Sequence, residues 1–272
     1  MQYQLLIVDL DGTALREDGT VHPRDVAASR ALAEIGVQLT VNTGRLFPGT
    51  RDAASQLGVT GSVALMNGAE MVNATTGVAT FGHYFDASQR DTAKHVLRFA
   101  GLTSFVFGSR RIHHSHSAAH HAPYLQTWTP SLSSHDDVFS ADSWHDDDVL
   151  AVGAVGSPDG ISEAISALPH LNAFRFPIDR DRHFVKFRVT EEDKGTAVGR
   201  LCRERDVAIG RSVVLGDWLN DVPMMRTAAR AFAMNGSVPE VIEAADEVVS
   251  AQRSQGGGIA DVAARVWGIE TP

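Results

Sequence analysis

A short apolar run that ends in two aspartates constrains the fold of this chain more than any other feature. The run Leu5-Leu6-Ile7-Val8 leads directly into Asp9-Leu10-Asp11-Gly12-Thr13. A continuous apolar run bounded by glycine is typical of a buried parallel strand, where carboxylates are normally avoided. Residues two apart share one face of a strand, so we expect Asp9 and Asp11 to converge at its carboxyl end, where open α/β sheets bind ligands. An ordinary strand end with an Asp-Gly turn is the simpler alternative.

The residues after this run alternate between helical and strand patterns. Pro23 opens a helical pattern that reaches Gly36, and a short strand pattern follows at 37–41. Proline in the first turn and glycine past the last turn are typical of a helix. A second helix at 48–57 and a second strand at 62–66 repeat this order. The pattern predicts strand–helix–strand units and a parallel sheet.

Small polar residues follow both of these predicted strands. Asn42-Thr43-Gly44-Arg45 ends the first, and Asn67-Gly68-Ala69 ends the second. The Thr43 hydroxyl and the Gly44 backbone are suited to hold phosphate oxygens, whereas Arg45 could face a substrate or pair on the surface. Taken alone, Thr-Gly-Arg is also an ordinary loop sequence.

A second acidic cluster follows a later apolar strand pattern. Residues 212–215 lead into Gly216-Asp217-Trp218-Leu219-Asn220-Asp221. We expect Asp217 and Asp221 to reach the same space as Asp9, since the carboxyl ends of parallel strands share one edge of the sheet. Lys194 precedes a helix predicted at 196–205, where its charge opposes the positive end of the helix dipole. A bound anion would remove that conflict.

Composition and charge exclude several classes of partner. The chain has 272 residues and a formal net charge of -9, without a basic block that would suit a nucleic-acid backbone. An acidic protein that binds an anionic substrate must gather positive charge locally, through a metal, a lysine or helix N-termini. Cys202 is the single cysteine, so no intrachain disulfide is possible. The apolar run at the start is short and lacks a preceding basic segment, which predicts a strand, no membrane association and a cytoplasmic protein.

The middle of the chain changes character and predicts a second domain. We expect a catalytic core at 1–82 and 188–272 and an α+β domain at 83–187, with an irregular polar stretch that ends at Asp148. A histidine-rich patch at 113–121 lies in this domain. His114 and His116 could share a strand face and bind zinc or copper, although no cysteine or nearby carboxylate completes a closed site.

Four motifs in this order resemble those of the haloacid dehalogenase superfamily, and most closely its Cof-type branch. They are Asp9-Leu10-Asp11-Gly12-Thr13, Thr43-Gly44-Arg45, Lys194-Gly195 and Gly216-Asp217-Trp218-Leu219-Asn220-Asp221. The resemblance implies an α/β fold: a doubly wound, mostly parallel, Rossmann-like core with an inserted α+β cap of subfamily IIB type. It also implies a phosphoric monoester hydrolase that uses Mg²⁺, with the cap governing substrate choice.

The same resemblance implies a role for each motif residue. Asp9 is the expected nucleophile and Asp11 the expected acid and base. Thr43 and Lys194 are expected to hold the phosphoryl group. The expected metal ligands and their supporting residues are Asp9, Asp11 through its backbone carbonyl, Asp217 and Asp221. The expected substrate-binding residues are Thr13, Gly44, Arg45, Asn67, Lys194 and Asn220.

The expected substrate is a small phosphorylated metabolite, such as a sugar or polyol phosphate, and the expected assembly is a monomer or homodimer. The resemblance implies that the phosphatase forms an aspartyl-phosphate at Asp9 and then hydrolyses it. A sugar phosphomutase would form the same intermediate and return the phosphoryl group to the bound sugar. A non-catalytic protein whose histidine patch binds a metal or another ligand is an alternative of a different class. Release of inorganic phosphate, as against formation of an isomer, separates the phosphatase from the mutase, and the intact set of motif residues argues against a non-catalytic protein.

Overall fold

The structure is a computed structural model that describes residues 2–140, 144 and 148–271. Positions 141–143 and 145–147, which belong to the predicted irregular stretch, lie outside the described residues. The strands are β1 Leu5–Val8, β2 Gln38–Val41, β3 Ser62–Leu65, β4 Glu70–Asn73, β5 Ala79–Gly82, β6 Thr103–Gly108, β7 Ile112–Ser115, β8 Leu132–His135, β9 Val149–Gly156, β10 Asn172–Pro177, β11 His183–Arg188, β12 Ser212–Gly216, β13 Arg230–Asn235 and β14 Glu247–Gln252. The helices are α1 Pro23–Glu34, α2 Phe47–Gln56, α3 Ala87–Phe99, α4 Ala122–Leu125, α5 Pro158–Ala167, α6 Lys194–Glu204, α7 Val222–Thr227, α8 Pro239–Ala244 and α9 Gly258–Trp267.

The described chain divides into two compact units. The first comprises Met1–Gly44, Thr50–Phe81 and Glu192–Pro272, and the second comprises Arg45–Gly49 and Gly82–Glu191. Among the described residues, every helix is too short or too polar to cross a bilayer.

A five-stranded parallel sheet organises the first unit. Its strand order is β14-β13-β12-β1-β2, and all of its pairings are parallel. The chain leaves β1 toward β2 on one side, whereas β12 leads to β13 and β14 on the other, so the strand order reverses between β1 and β12. Open α/β sheets bind ligands beside such a reversal, at the carboxyl ends of the strands. The predicted doubly wound parallel core is confirmed.

Helix ends in the first unit are fixed by side chains. Asp25 in α1 is buried, and its carboxylate accepts hydrogen bonds from the Gly257 and Ala260 N–H groups at the start of α9 (2.7 and 2.9 Å). Asp193 caps α6 by accepting from the N–H groups of Gly195 and Thr196. The helix predicted at 196–205 therefore begins two residues earlier, at Lys194, because its capping residue is Asp193.

Two parts of the first unit lack a clear sequence signal. The strand β3 continues through a tight Met66–Gly68 turn into β4, with which it pairs antiparallel, and β3, β4 and β5 form a separate three-stranded sheet. The strands β13 and β14 complete one side of the parallel sheet, although our sequence analysis identifies no strand after 216. In the Met66–Gly68 turn after β3, Met66 and Asn67 both have positive φ, at 49° and 58°, so this turn holds two non-glycine residues in the left-handed region.

The second unit is a six-stranded sheet in the order β10-β11-β9-β6-β7-β8. Helices α3 and α5 supply apolar side chains to a core that covers one face of this sheet. The predicted irregular stretch before Asp148 contains β8 and the short helix α4, and β7 and β8 pair in parallel. The short, polar sequence of β8, Leu-Ser-Ser-His, explains why no apolar periodicity indicates this strand.

Candidate active site

The site is built where β1 and β12 end side by side. Val8 is paired with Leu215 in the sheet, and the Asp9 N–H group continues the ladder by donating to the Leu215 carbonyl (3.0 Å). Asp9 and Asp217 therefore leave adjacent strands at the same edge of the sheet. Both side chains are buried.

Lys194 links two carboxylates of this site. Its ammonium group donates to Asp9 Oδ1 at 2.5 Å and to Asp221 Oδ1 at 2.6 Å, and it is completely buried. Asn42, at the end of β2, fixes the lysine backbone by donating to the Lys194 carbonyl (2.8 Å). The anions that compensate a lysine at this helix start are thus carboxylates of the protein itself.

The charges of these buried groups depend on one another. Burial raises the pKa of Asp9 well above its usual range, and the neighbouring carboxylates of Asp221, Asp217 and Asp11 add to this effect against the opposing ammonium of Lys194. Burial opposes the charge of Lys194, but Asp221 and Asp9 hold its pKa above its ordinary value. The three buried carboxyl groups of Asp9, Asp217 and Asp221 outnumber the two cations that contact them, Lys194 and Arg253, and this surplus favours binding of a further cation.

Asp217 is held by two side chains from distant parts of the sequence. Thr13 donates to its Oδ1 at 2.6 Å, and the Arg253 guanidinium pairs with its Oδ2. Burial raises the pKa of Asp217 despite these hydrogen bonds. Arg253 also lies 4.6 Å from the ring centroid of Trp218, whose side chain is 44% exposed.

The carboxylate oxygens of this cluster are almost all occupied. Asp221 Oδ2 accepts from the N–H groups of Asp217 and Trp218, at 2.8 and 3.0 Å. Among the residues that the structure describes, Asp9 Oδ2 is the one carboxylate oxygen of Asp9, Asp217 and Asp221 that accepts no hydrogen bond. The Asp9 side chain remains 6% exposed. Lys194 therefore fixes the Asp9 carboxylate through Oδ1 and leaves Oδ2 available to contact a ligand.

Asp11 lies outside the buried cluster. Its side chain is exposed, although it is close enough to raise the pKa of Asp9. Two residues share a face only while a strand continues, and β1 ends at Val8. The chain then turns, with hydrogen bonds from the Thr13 and Leu15 N–H groups to the Leu10 carbonyl.

A second polar group surrounds the end of β2. The Thr43 N–H group donates to the Ala64 carbonyl, and the Asn67 N–H group donates to the Thr43 carbonyl, both at 2.9 Å. Asn220 donates from Nδ2 to Asn67 Oδ1 at 3.0 Å. Gly44 lies beside Asn67, because a Cβ at this glycine would be 3.4 Å from Asn67 Oδ1. The sequence-predicted residues Thr43, Gly44, Asn67 and Asn220 are therefore neighbours.

Arg45 belongs to the second unit, where its guanidinium donates to the Gly49 carbonyl (3.0 Å).

Two residues of the candidate site were not identified from the sequence, Asn42 and Arg253. Asn42 directly precedes the Thr-Gly-Arg motif at the end of a predicted strand, and this position could have identified it as a site residue. Arg253 follows β14, whose longest apolar run is only Val248-Val249, so no pattern indicates it.

The donor set suits a hard divalent cation. One carboxylate oxygen from each of Asp9, Asp217 and Asp221 lies within 4.8 Å of the others, and all three residues are buried. Oxygen ligands of this kind are those that Mg²⁺ and Ca²⁺ prefer. Among the described residues this is also the one group of three histidine, cysteine or acidic side chains with such spacing.

The histidine patch does not bring three ligands together in the described part of the chain. His113 Nδ1 and His135 Nε2 are 3.0 Å apart, and His116 Nδ1 lies 3.1 Å from Asp136 Oδ1. His114 Nδ1 contacts the Ser115 carbonyl at 2.9 Å. Each of these contacts engages one nitrogen of a ring, and the described residues around the patch bring no three ligands to a shared centre.

The fold places a buried acidic centre at the reversal point of a parallel sheet. A sequence profile of haloacid dehalogenase-like hydrolases matches residues 6–262, so the chain belongs to this family. The resemblance to the Cof-type branch and the prediction of a hydrolase are confirmed.

Individual relatives are distant but match along most of their length. The HMP-PP phosphatase of Serratia proteamaculans is 23% identical over 262 residues, which cover 88% of this chain and 86% of that protein. A haloacid dehalogenase-like hydrolase from Bacteroides thetaiotaomicron shares the fold with a TM-score of 0.80 at 19% identity, and the match covers 97% of this chain and 99% of that one. A sugar phosphatase of subclass IIB gives a TM-score of 0.74 at 17% identity, with coverage of 97% and 99%.

Proposed function

We propose that this protein is a magnesium-dependent phosphatase that hydrolyses small phosphate monoesters through a phosphorylated Asp9. The observation that carries the proposal is the Asp9 carboxylate. Lys194 holds its Oδ1, whereas Oδ2 accepts no hydrogen bond within the described residues. An oriented carboxylate with one available oxygen is suited to nucleophilic attack on phosphorus.

The acidic cluster would hold the metal. Asp9 and Asp217 would supply carboxylate oxygens, Asp11 its backbone carbonyl, and Asp221 would complete the surrounding shell. When bound, Mg²⁺ supplies charge neutralisation and orientation for the phosphoryl group. The excess of buried carboxylates over Lys194 supports the binding of such an ion.

The residues of the chain perform the remaining steps. Asp9 Oδ2 forms a bond to phosphorus while the bond from phosphorus to the ester oxygen breaks, and Asp11 donates a proton to the leaving oxygen. Asp11 then takes a proton from the water that attacks the phosphorylated Asp9, which releases inorganic phosphate and restores both carboxyl groups. The exposed position of Asp11 beside the buried Asp9 supports its exchange of protons with substrate and water.

Lys194 and Thr43 would bind the transferred phosphoryl oxygens, because an ammonium and a hydroxyl donate to anionic oxygen. Thr13 and Asn220 act by holding the loops that carry Asp217 and Asn67. Gly44, Arg45 and Asn67 are the remaining substrate-binding residues of the proposal.

The second unit would be the cap, with predicted bounds 83–187, and would choose the organic part of the substrate. The names of the relatives, an HMP-PP phosphatase and a sugar phosphatase, support a small phosphorylated metabolite as the substrate. Within that class we favour sugar or polyol phosphates. The cytoplasmic location and the state of monomer or homodimer stay predictions.

The central experiment is a phosphate-release screen over a panel of metabolite esters with magnesium, on wild type, Asp9→Asn and Asp52→Asn. Asp9→Asn removes the attacking oxygen and one metal ligand at nearly constant volume, so we expect no phosphate release from a protein with a native circular dichroism spectrum. Asp52 is an exposed aspartate on α2, and Asp52→Asn is the matched control that retains activity. Turnover by folded Asp9→Asn would contradict the mechanism.

A chemical trap tests the intermediate separately. Borohydride reduces an acyl phosphate, so quenching wild type during turnover is expected to give a reduced residue at position 9 that mass spectrometry detects. Isomerised sugar phosphate without release of inorganic phosphate would instead identify a mutase. Metal binding without either reaction would favour the non-catalytic alternative.

A further inference from the structure

Arg253 brings a second cation to the acidic centre, from a part of the chain that the four motifs do not include. Its guanidinium donates from Nε to Asp217 Oδ2, and its side chain is 38% exposed, whereas Asp217 is completely buried. Lys194, by contrast, is completely buried between Asp9 and Asp221. Of the two cations that contact these carboxylates in the described part of the chain, Arg253 is therefore the one with access to water.

The backbone around Arg253 fixes the origin of its side chain. The Arg253 N–H group donates to the Asn235 carbonyl at the end of β13, and the Ser254 N–H group donates to the Gly12 carbonyl, both at 2.8 Å. Ser254 has a φ of 63°, a left-handed conformation that a non-glycine residue keeps only where the surrounding structure holds it. With the backbone held in this way, the guanidinium can move by rotation of its side chain alone.

Trp218 gives the guanidinium a second contact. The guanidinium carbon of Arg253 lies 4.6 Å from the centroid of the Trp218 ring, and Trp218 is 44% exposed. A guanidinium can stack on an indole ring while it stays hydrated, so this contact does not require Asp217. Release from Asp217 would therefore leave Arg253 with an aromatic partner and with water.

Thr13 and Arg253 hold the two oxygens of Asp217 in different ways. The Thr13 hydroxyl donates to Oδ1 at 2.6 Å, and this residue is neutral and completely buried. A metal ion at Asp217 has no charge conflict with a hydroxyl, but it repels a guanidinium on the same carboxylate. Of the two contacts, the one with Arg253 therefore opposes a bound cation.

The charges of the centre also balance without Arg253. Asp9, Asp217 and Asp221 carry three negative charges when ionised, and Lys194 together with one divalent cation neutralises them. With Arg253 still paired, the same divalent cation would leave a surplus positive charge in a buried centre, which is unfavourable. Pairing of Arg253 and binding of the metal are therefore alternatives.

We propose that Arg253 competes with a divalent cation for Asp217, and that its guanidinium moves toward Trp218 and solvent when the metal binds. Arg253 thereby sets the metal affinity of the centre, because metal binding must release a cation of the chain itself. The inference rests on the proposed metal site, but it makes no use of the hydrolytic steps. A residue that merely anchored Asp217 would give the opposite result, since its loss would weaken metal binding.

The test measures metal affinity directly, on the intact chain near neutral pH and at constant ionic strength. Binding of Mn²⁺ is followed through the EPR signal of the free ion, with Mg²⁺ as a competitor, for wild type, Arg253→Met, Arg253→Gln and Arg230→Met. We expect both Arg253 variants to bind both ions about tenfold more tightly than wild type, the scale for removal of one partly screened charge beside a divalent ion.

Arg230 supplies the matched control. It pairs with Glu247 and lies 5.0 Å from the Phe232 ring centroid, so it also combines a carboxylate with an aromatic ring, and its loss changes the net charge equally. It lies at the start of β13, at the opposite edge of the sheet from the acidic centre, so Arg230→Met retains the wild-type Kd. Thr13→Val removes a neutral donor from Asp217 and should not tighten metal binding.

A second measurement follows the guanidinium on wild type. The Nε–H resonance of Arg253 in ¹⁵N NMR is assigned by its absence from either Arg253 variant. We expect this N–H group to exchange slowly with water before Mg²⁺ is added, because it donates to a buried carboxylate, and faster at saturating Mg²⁺. An unchanged exchange rate would overturn the inference, because the guanidinium would then stay on Asp217.

The affinity measurements separate failure of this inference from failure of the metal site. Equal or weaker metal binding by a folded Arg253 variant overturns the inference and leaves the metal site in place. Absence of binding to wild type and to both Arg253 variants overturns the metal site and the inference with it.

Discussion

Replacing Gly12 with alanine tests the packing of the acidic centre. Gly12 has a φ of 80°, and a Cβ at this position would overlap the Asp217 carboxylate. A carboxylate at the end of an exposed side chain would move aside with little cost. Asp217 is completely buried and is held by Thr13 and Arg253, so moving it breaks contacts to both.

Gly19 provides a matched control for the backbone effect. Its φ of 78° is almost the same, but a Cβ there would meet no atom within 4 Å. The left-handed conformation costs an L-residue about 1 to 2 kcal/mol, which applies to both substitutions. Overpacking in a rigid interior adds about 1 to 3 kcal/mol, which applies to Gly12→Ala alone. We therefore expect losses in the free energy of unfolding of about 1 to 2 kcal/mol for Gly19→Ala and about 2 to 5 kcal/mol for Gly12→Ala.

Urea unfolding and phosphate release provide the two readouts. Gly12→Ala displaces a proposed metal ligand, so we expect its kcat/KM to fall by at least about tenfold, which corresponds to roughly 1.4 kcal/mol. Gly19→Ala should retain kcat/KM within about twofold, since a Cβ at Gly19 meets no atom within 4 Å. Equal losses of stability and activity in the two variants would refute the claim that Asp217 is rigidly held against Gly12.

Three further perturbations address the buried charges. Lys194→Met leaves Asp9 and Asp221 without their shared cation, and we expect a loss of about 3 to 5 kcal/mol in urea unfolding, together with abolished phosphate release. Calcium should bind at the carboxylates but inhibit, because its looser and higher coordination disturbs in-line geometry; equal rates with calcium and magnesium would count against the proposed site. Burial, together with the positive charge of Arg188, lowers the folded-state pKa of Lys186 to about 7, below its ordinary value of 10.5, so the unfolded chain binds more protons between these values and stability rises with pH across that window. Lys186→Met lacks this gain, so the free energy of unfolding of wild type should rise relative to that of Lys186→Met by roughly 3 kcal/mol between pH 6 and pH 9.5; a difference that is independent of pH would contradict the lowered pKa of Lys186.

The sequence predicts the parts of the site that follow buried apolar runs. Asp9 and Asp217 are identifiable because carboxylates directly after such runs are unusual, and the parallel sheet brings the two strand ends together. Lys194 is identifiable through its unfavourable position at a helix start. These signals are local, so they survive without knowledge of the tertiary structure.

Other features depend on contacts that no local pattern records. Arg253 reaches Asp217 from the end of β14, a strand whose longest apolar run is only Val248-Val249. The separation of Asp11 from the carboxylate cluster results from the turn after Val8, whereas the expectation of convergence assumed that the strand continues. The partners of Lys194 were likewise expected to come from a ligand, since the sequence cannot show that two carboxylates of the chain approach it.

The spacing within Gly216-Asp217-Trp218-Leu219-Asn220-Asp221 has a physical explanation in the turn that it forms. Leu219–Asp221 makes one short helical turn, which brings the Asp221 carboxylate back to the N–H groups of Asp217 and Trp218. Gly216 is required at the start of this turn, because a Cβ there would lie 2.5 Å from the Asp221 carboxyl carbon. With Oδ2 engaged by the loop, Asp221 presents Oδ1 to Lys194, so one side chain fixes both the direction of Asp217 and the position of the ammonium that holds Asp9. A shorter or longer spacing would break this link between the two strand ends, and Asp9 would lose the constraint that leaves only its Oδ2 available.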